Sequence, residues 1–290
     1  MKIVTHSGIF HADDVFAVAT LLLKFPDAEV VRSRKKEDIE SADIVVDVGL
    51  QYEPEKLKFD HHQHAGAGVR ANGIPYASFG LVWKKFGEEL CGGVEEARII
   101  EEKLAMAIDA PDNGVSIYEP VFGDVRPYTI IDFLYSYILN GYTGEKYLYE
   151  TFMKLMTVAK DLLEREIQKA QERVSGMKKV IEIVEDSQNK NIIVLEQDLP
   201  WEPILVPIPE AYYVVYLRRE GNWGVKGVPV STKSFIRKKL LPEAWAGKNG
   251  EELQSITGVK DAVFCHKDRF IAAAESKEGA MKLAEIALNA

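Results

Sequence analysis

Lys2-Ile3-Val4-Thr5-His6-Ser7-Gly8-Ile9-Phe10-His11-Ala12-Asp13-Asp14 decides how the rest of the chain is read. The β-branched run Lys2 to Thr5 predicts a buried strand ending at His6, after which Ser7-Gly8 turns the chain. From Ala12 onward Val15, Phe16, Val18, Ala19, Leu22 and Leu23 recur at spacings of three and four and stop before Pro26, which predicts a helix. Asp13 and Asp14 therefore fall in its first turn, where the helix dipole and free amides favour acids by about 0.3–1 kcal/mol. That preference alone would account for either aspartate. The histidines call for more: five of the six in the chain lie within its first 64 residues, and four of them sit in this turn or in Phe59-Asp60-His61-His62.

Working outward, Glu29 to Arg32 predicts a second strand, Ile39 and its charged neighbours a short helix, Asp43 to Gly49 a third strand and Lys58 to Asp60 a fourth. Such alternation predicts a parallel, doubly wound sheet that binds ligands beyond the carboxyl ends of its strands. His6, Asp47 and Asp60-His61 all fall at such ends. Phe79 to Phe86 and Ile99 to Ile108 have helical spacing. The second leads into Asp109-Ala110-Pro111-Asp112-Asn113-Gly114, whose Asp-Asn-Gly is ordinary turn chemistry. Glu145 to Val174 predicts a helix roughly 45 Å long. Short strands are then expected at Val180 to Val184, Ile192 to Leu195, Ile204 to Val206, Tyr212 to Leu217 and Ala262 to His266, with a closing helix from Lys277 to Leu288. The expected architecture is α/β. An N-terminal domain, residues 1–175, carries a doubly wound, mainly parallel sheet, and a long helix joins it to a smaller α+β domain, residues 176–290.

At 290 residues, 47% hydrophobic and 28% charged, the composition is that of a globular protein. No apolar run approaches the ~20 residues of a membrane span, and Met1-Lys2 leads straight into a strand pattern without a secretion signal, so a cytoplasmic protein with no membrane partner is expected. Cys91 and Cys265 are too far apart in sequence for metal-ligand spacing and suggest no disulfide framework. A net charge of −9 argues against coating duplex nucleic acid through a broad basic surface. It leaves room for an enzyme that handles phosphates singly, because bound cations reverse the sign of an acidic pocket. The sequence is compatible with a homo-oligomer.

His6, His11, Asp13, Asp47, His61 and Asp109 form the candidate ligand set. Imidazole and carboxylate without thiolate suit manganese, with iron, cobalt, zinc and magnesium as alternatives. Six side chains exceed the needs of one four-coordinate ion but fit two ions sharing a carboxylate. Two ions about 3.5–4 Å apart can hold the attacking and leaving oxygens of a phosphoryl displacement and lower the pKa of a bound water toward ~7. A second feature is basic: Leu217 to Lys239 holds seven cations against Glu220 alone, a local charge of +6, with Trp223 among them. It reads either as a solvated face or as a surface that tracks phosphates and stacks bases of a single strand.

His6-x4-His11-x-Asp13, Asp47, Asp60-His61-His62 and Asp109 resemble the four motifs of the DHH phosphoesterase superfamily. More narrowly, Thr-His-x-Gly-x-Phe-His-x-Asp from Thr5, Asp-Ile-Val-Val-Asp-Val-Gly from Asp43, Asp-His-His-Gln from Asp60 and Asp-x-x-Asp-Asn-Gly from Asp109 resemble the melanocyte-proliferating-gene-one family. The similarity extends to Val228-Pro229-Val230, to Leu241 through Trp245 and to Glu278 through Ala280. It implies two divalent ions, usually manganese, held by the six ligands above with Asp47 bridging. Asp14 and Asp112 are secondary candidates. It further implies His62 at the scissile phosphate, Asp60 orienting His61, and a C-terminal domain closing over substrate, for which Arg218, Lys226, Lys233 and His266 are the candidate contacts. The implied activity is 3′-to-5′ exonuclease action on single-stranded RNA or short oligonucleotides. A small-molecule phosphohydrolase acting on pyrophosphate or a dinucleotide, and a non-catalytic RNA- or metal-binding protein, are the alternatives. Relatives carry a Gly-Gly-His segment where this chain has Ala272-Ala273-Ala274-Glu275. Glycine admits a close backbone approach to phosphate that alanine does not.

Overall fold

In the structure, a computed structural model that describes residues 1–139 and 144–290, the opening stretch forms β1 (Lys2–Thr5) and α1 (Ala12–Lys24). There follow β2 (Glu29–Arg32), α2 (Lys36–Glu40), β3 (Ile44–Val46), β4 (Tyr52–Glu53) and β5 (Lys58–Phe59). These strands form one sheet in the order β2-β1-β3-β5-β4, parallel throughout except where β4 runs antiparallel to β5. A parallel sheet must be covered on both faces, and the side-chain alternation does this. Ile3, Ile44, Val46 and Phe59 pack into the core with α1, while Val4, Val45 and Val48 pack with Val31 and Ile39 of α2. The carboxyl ends of β1, β3 and β5 thereby lie side by side.

The rest of this unit comprises α3 (Ser78–Cys91), α4 (Val94–Ile100), a wider π-helical stretch Glu101–Ala105, α5 (Met106–Asp112), α6 (Ile130–Tyr135) and the start of α7 (Glu145–Asp186). α1 is buried from Ala12 to Leu22, which explains why it is apolar on almost every face. Leu148, Phe152, Leu155, Ala159 and Leu163 of α7 join the same core at helical spacing.

The chain divides into two compact units, Met1–Gln171 and Glu172–Ala290. In the second, β6 (Ile192–Leu195), α8 (Glu202–Leu205), β7 (Tyr213–Leu217), β8 (Trp223–Gly227), α9 (Gly250–Thr257), β9 (Ala262–Cys265), β10 (Ile271–Ala274) and α10 (Lys277–Asn289) follow one another. The sheet order is β6-β7-β8-β10-β9, with β6 and β7 parallel and the other pairs antiparallel. The protein is thus a mixed α/β chain with two sheets and a long helix.

Several expectations fail here for local reasons. Val180 to Val184 is no strand but part of α7, which is 42 residues long. Val180 and Val184, four apart, are buried, whereas Ile181 between them is 40% exposed, a helical stripe misread as a β-branched run. Gly176, the first residue of the expected second domain, lies inside the same helix, and a Cβ there would stand 2.6 Å from Pro200 Cδ. Ile204 to Val206 overlaps the short helix α8, whose Leu205 is buried together with Trp201, the residue just before the helix and four positions back. The strands β8 and β10 went unread because Gly224, Gly227 and Ala272 to Ala274 have weak strand propensity, and only their cross-strand packing makes them strands. Those three alanines are fully buried and paired with both β8 and β9.

Candidate metal centre

The left-handed backbone at Asp47 (φ 54°), immediately beyond β3, sets the geometry of the centre. Aspartate tolerates this conformation better than most residues, and non-glycine residues held there cluster at functional sites. The bend directs the Asp47 carboxylate between the ends of β1 and β5. Its Oδ2 lies 3.3 Å from His6 Nε2, and its Oδ1 lies 3.3 Å from His61 Nε2 and accepts a 2.9 Å hydrogen bond from Ser78 Oγ. One carboxylate therefore faces two histidines with two different oxygens.

Around it, Asp14 Oδ2 lies 3.0 Å from His6 Nε2, Asp112 Oδ2 3.2 Å from His61 Nε2, and Asp13 Oδ2 3.7 Å from the same nitrogen. His11 Nδ1 stands 3.8 Å from Asp112 Oδ1. His6 Nε2, His61 Nε2, Asp13 Oδ1, Asp14 Oδ2 and Asp47 Oδ2 are buried, yet none makes a hydrogen bond among the described residues. Such atoms are costly without a partner. Three overlapping sets, His6-His11-Asp47, Asp47-His61-His62 and His11-Asp13-Asp112, each bring their ligand atoms within 4.8 Å of one another. The donors are nitrogen and oxygen only, and the residues fit divalent cations.

The electrostatics say the same. Burial, reinforced by the charges of Asp47, Asp112, Asp14 and Asp109, pushes the Asp13 carboxyl well above its ordinary range. Burial also raises Asp14, against the opposing pull of His6. For His6, burial opposes the charged form but is outweighed by Asp14 and Asp47, so its pKa is pushed up to about 10. His61 reaches about 10 in the same way through Asp112 and Asp47. Asp47 is held down despite its burial because both histidines contact it. The amino ends of α1 and α3 add positive dipole ends, and Ser78 N–H donates to Asp13 Oδ2 at 3.3 Å.

Three sequence expectations change here. Asp109, expected as a ligand after a helix end, lies inside α5 and is fully buried away from these sets. Its Oδ2 accepts a 2.6 Å bond from Arg70 Nη2 and its Oδ1 a 3.1 Å bond from Gly80 N–H. Burial pushes its pKa up to about 7 against the Arg70 guanidinium. Asp112, expected in a turn, is the last residue of α5 and stands among the ligand atoms instead, because one helical turn separates the two aspartates. Asp60 orients His62, not His61. Its Oδ1 lies 2.8 Å from His62 Nδ1, and the amides of His62 and Leu50 hold the carboxylate at 3.0 and 2.6 Å.

Residues 2–288 match the MYG1 exonuclease family, described as uncharacterised protein family UPF0160. The chain belongs to that family. The MYG1 protein of Schizosaccharomyces pombe is 30% identical over 321 residues, which cover 100% of this chain and 98% of the relative. The MYG1 exonuclease of Homo sapiens is 28% identical over 324 residues, 99% of this chain and 85% of that one. An uncharacterised protein from Helicobacter pylori G27, known from a crystal structure, aligns over 95% of this chain and 94% of its own at 12% identity. Its TM-score of 0.20 is too low to relate the folds.

This MYG1-family chain also uses residues its motifs do not display. Arg70 lies in the glycine-rich loop after His62, and Gly80 opens α3. A Cβ on Gly80 would stand 1.9 Å from Asp109 Oδ2 and 2.3 Å from Arg70 Nη2, so the buried pair exists only because position 80 has no side chain. A lone arginine between glycines was the available sign. In the second unit the basic run does not form one free cationic face. Lys238 Nζ donates to the Leu205 and Ile208 carbonyls, Lys239 Nζ to the Leu288 carbonyl, and Lys226 Nζ to Glu202 at 3.1 Å. Arg218 pairs with Glu220 and lies over Phe264, while Lys233 is exposed. His266 accepts the Asp268 amide at its Nδ1 and packs on Phe270. Lys226 lines a cavity of about 580 Å³ with Arg173, Trp201 and Thr232. Among the described residues no helix is long and apolar enough to cross a membrane.

Proposed function

We propose that this chain is a metal-dependent phosphoesterase of the DHH type that hydrolyses phosphodiester bonds, acting as a 3′-to-5′ exonuclease on single-stranded RNA or short oligonucleotides. The observation that carries the reading is the two-faced Asp47 carboxylate with buried nitrogens and oxygens on both sides that make no hydrogen bond among the described residues. The exonuclease name of the mammalian relatives supports the choice of nucleic acid. His6, Asp14, His11 and Asp47 would hold one divalent ion and His61, Asp13, Asp112 and Asp47 a second, with manganese the best match to this donor set. Bound ions supply charge neutralisation at phosphorus and a water acidic enough to attack at neutral pH.

The protein's own groups do the rest. Ser78 fixes Asp47 and Asp13 from the start of α3, so the shared carboxylate is oriented before substrate arrives. Asp60 occupies His62 Nδ1 and raises the His62 pKa, leaving Nε2 of this half-exposed ring to face substrate and give its proton to the leaving oxygen. The second unit is the proposed substrate domain, with Lys226, Lys233, Arg218 and His266 as its candidate contacts.

The experiment incubates purified protein with Mn²⁺, Mg²⁺ or EDTA and 5′-labelled RNA, single-stranded DNA, a dinucleotide or pyrophosphate, with Asp47→Asn as control. A product ladder on RNA that disappears with EDTA and with Asp47→Asn is expected. Cleavage indifferent to both would refute the proposal. Phosphate release from pyrophosphate alone would move it to the small-molecule reading.

A further inference from the structure

A cavity of about 440 Å³ opens beside the centre, bounded by Asp47, His62, Arg34, Ile39, Val48 and Leu50. Its volume is in the range of ligand clefts, and its lining is mixed: Asp47, Asp60, His62 and Arg34 are polar, Ile39, Val48 and Leu50 apolar. Leu50 is 64% exposed and held at a left-handed φ of 56°. Its amide donates to Asp60 Oδ2 at 2.6 Å, which fixes that backbone and leaves the side chain exposed.

Three arginines lie near the centre, and two are engaged elsewhere. Arg70 is turned to Asp109 and Glu101. Arg32 is buried, donates to the Gly8 carbonyl at 2.8 Å and lies over the Phe152 ring. Arg34 is exposed. Its Nε donates to the Ser7 carbonyl at 3.2 Å, which tethers the head beside the cavity, and its Nη2 stands 3.1 Å from His6 Nδ1. Guanidinium forks suit phosphate oxygens, and a tethered one loses little freedom on binding.

We infer that this cavity seats the nucleotide whose phosphate is attacked, with Arg34 gripping that phosphate opposite His62 and with Leu50 and Ile39 forming the wall for its base or sugar. The inference rests on the phosphodiesterase reading above and names the substrate-binding residues of that site.

The test measures binding of a fluorescein-labelled short single-stranded RNA by anisotropy across a salt series, with Ca²⁺ in place of Mn²⁺, alongside KM for RNA in Mn²⁺. Arg34→Gln is expected to weaken binding at least about tenfold and to lower the slope of log K against log salt by about 0.7, the share of one phosphate on a single strand. Arg34→Lys restores the slope without the full affinity. Leu50→Asn keeps the left-handed backbone and weakens RNA binding while leaving competition by pyrophosphate unchanged. Lys169→Gln is the charge control. Its neighbour Gln171 bonds the Cys91 carbonyl at the end of α3 remote from Ser78, about 20 Å away by helical rise. Wild type that cleaves RNA while Arg34→Gln matches Lys169→Gln in affinity, slope and KM overturns the assignment and leaves the proposed function standing. Equal losses of RNA and pyrophosphate in Leu50→Asn overturn the apolar wall. Wild type that neither binds nor cleaves RNA overturns both.

Discussion

Asp109→Asn and Asp112→Asn test whether Asp109 is structural and Asp112, one turn of helix away, a metal ligand. Asp109 is fully buried, and Arg70, whose side chain is 4% exposed, relies on it and on Glu101 for compensation. Breaking a buried pair costs about 3–5 kcal/mol. The lower figure applies here, because burial already pushes Asp109 up to about 7 and so weakens its hold on the charge at neutral pH. A loss of about 3 kcal/mol corresponds to a fall in Tm of roughly 6–12 °C for a unit of this size. Asp112 has a partly exposed side chain and should cost little stability. The metal dependence runs the other way. Asp112→Asn should weaken Mn²⁺ binding by about 100-fold or more, and Asp109→Asn by less than that, because changes at outer positions around a metal cost about 10–100-fold. Calorimetric titration with Mn²⁺ and thermal unfolding in EDTA read the two quantities independently. An Asp109→Asn protein that melts like wild type but no longer binds Mn²⁺ would refute this division of labour.

Other outcomes follow from the same contacts. Gly80→Ala should destabilise the first unit by several kcal/mol, roughly a buried-pair break plus overpacking, because its Cβ would collide with Asp109 and Arg70; urea unfolding measures it, and a loss under about 1 kcal/mol would contradict the geometry. His6 and His61 have folded values near 10, above the ordinary 6.5, so their contribution to metal-free stability is present below about pH 6.5 and is lost as pH rises toward 10. Ions must displace those protons, so the Tm gain from Mn²⁺ should grow over the same interval; a gain independent of pH would count against metal binding at these nitrogens. Asp60→Asn removes the main support for the His62 proton, and the alkaline limb of kcat/KM should move to lower pH together with the imidazole titration seen by NMR. An unmoved limb would exclude His62 as the proton donor.

The sheet that positions the centre was legible because local signals agreed. β-branched runs at Lys2 to Thr5 and Ile44 to Val46 are followed by polar residues that have no reason to end an apolar strand, and α1 announces itself by spacing and by Pro26. The second unit was less legible. Its strands β8 and β10 are built from glycine and alanine, whose place in a sheet depends on Tyr216 and α10 packing against them. Val180 to Val184 has strand composition but sits in a helix whose buried stripe fixes it.

By itself the sequence determined that histidines and aspartates fall at the carboxyl ends of strands, since strand limits and side-chain period follow from local pattern. The tertiary structure alone decided which acids meet which histidines. Asp112 rather than Asp109 reaches His61 because α5 continues through both residues, and a turn of helix carries them to different neighbours. Arg70 neutralises Asp109 across 39 residues, and Asp60 serves His62 rather than His61. Those assignments depend on distances between segments remote in sequence, and a local pattern holds no information about such distances.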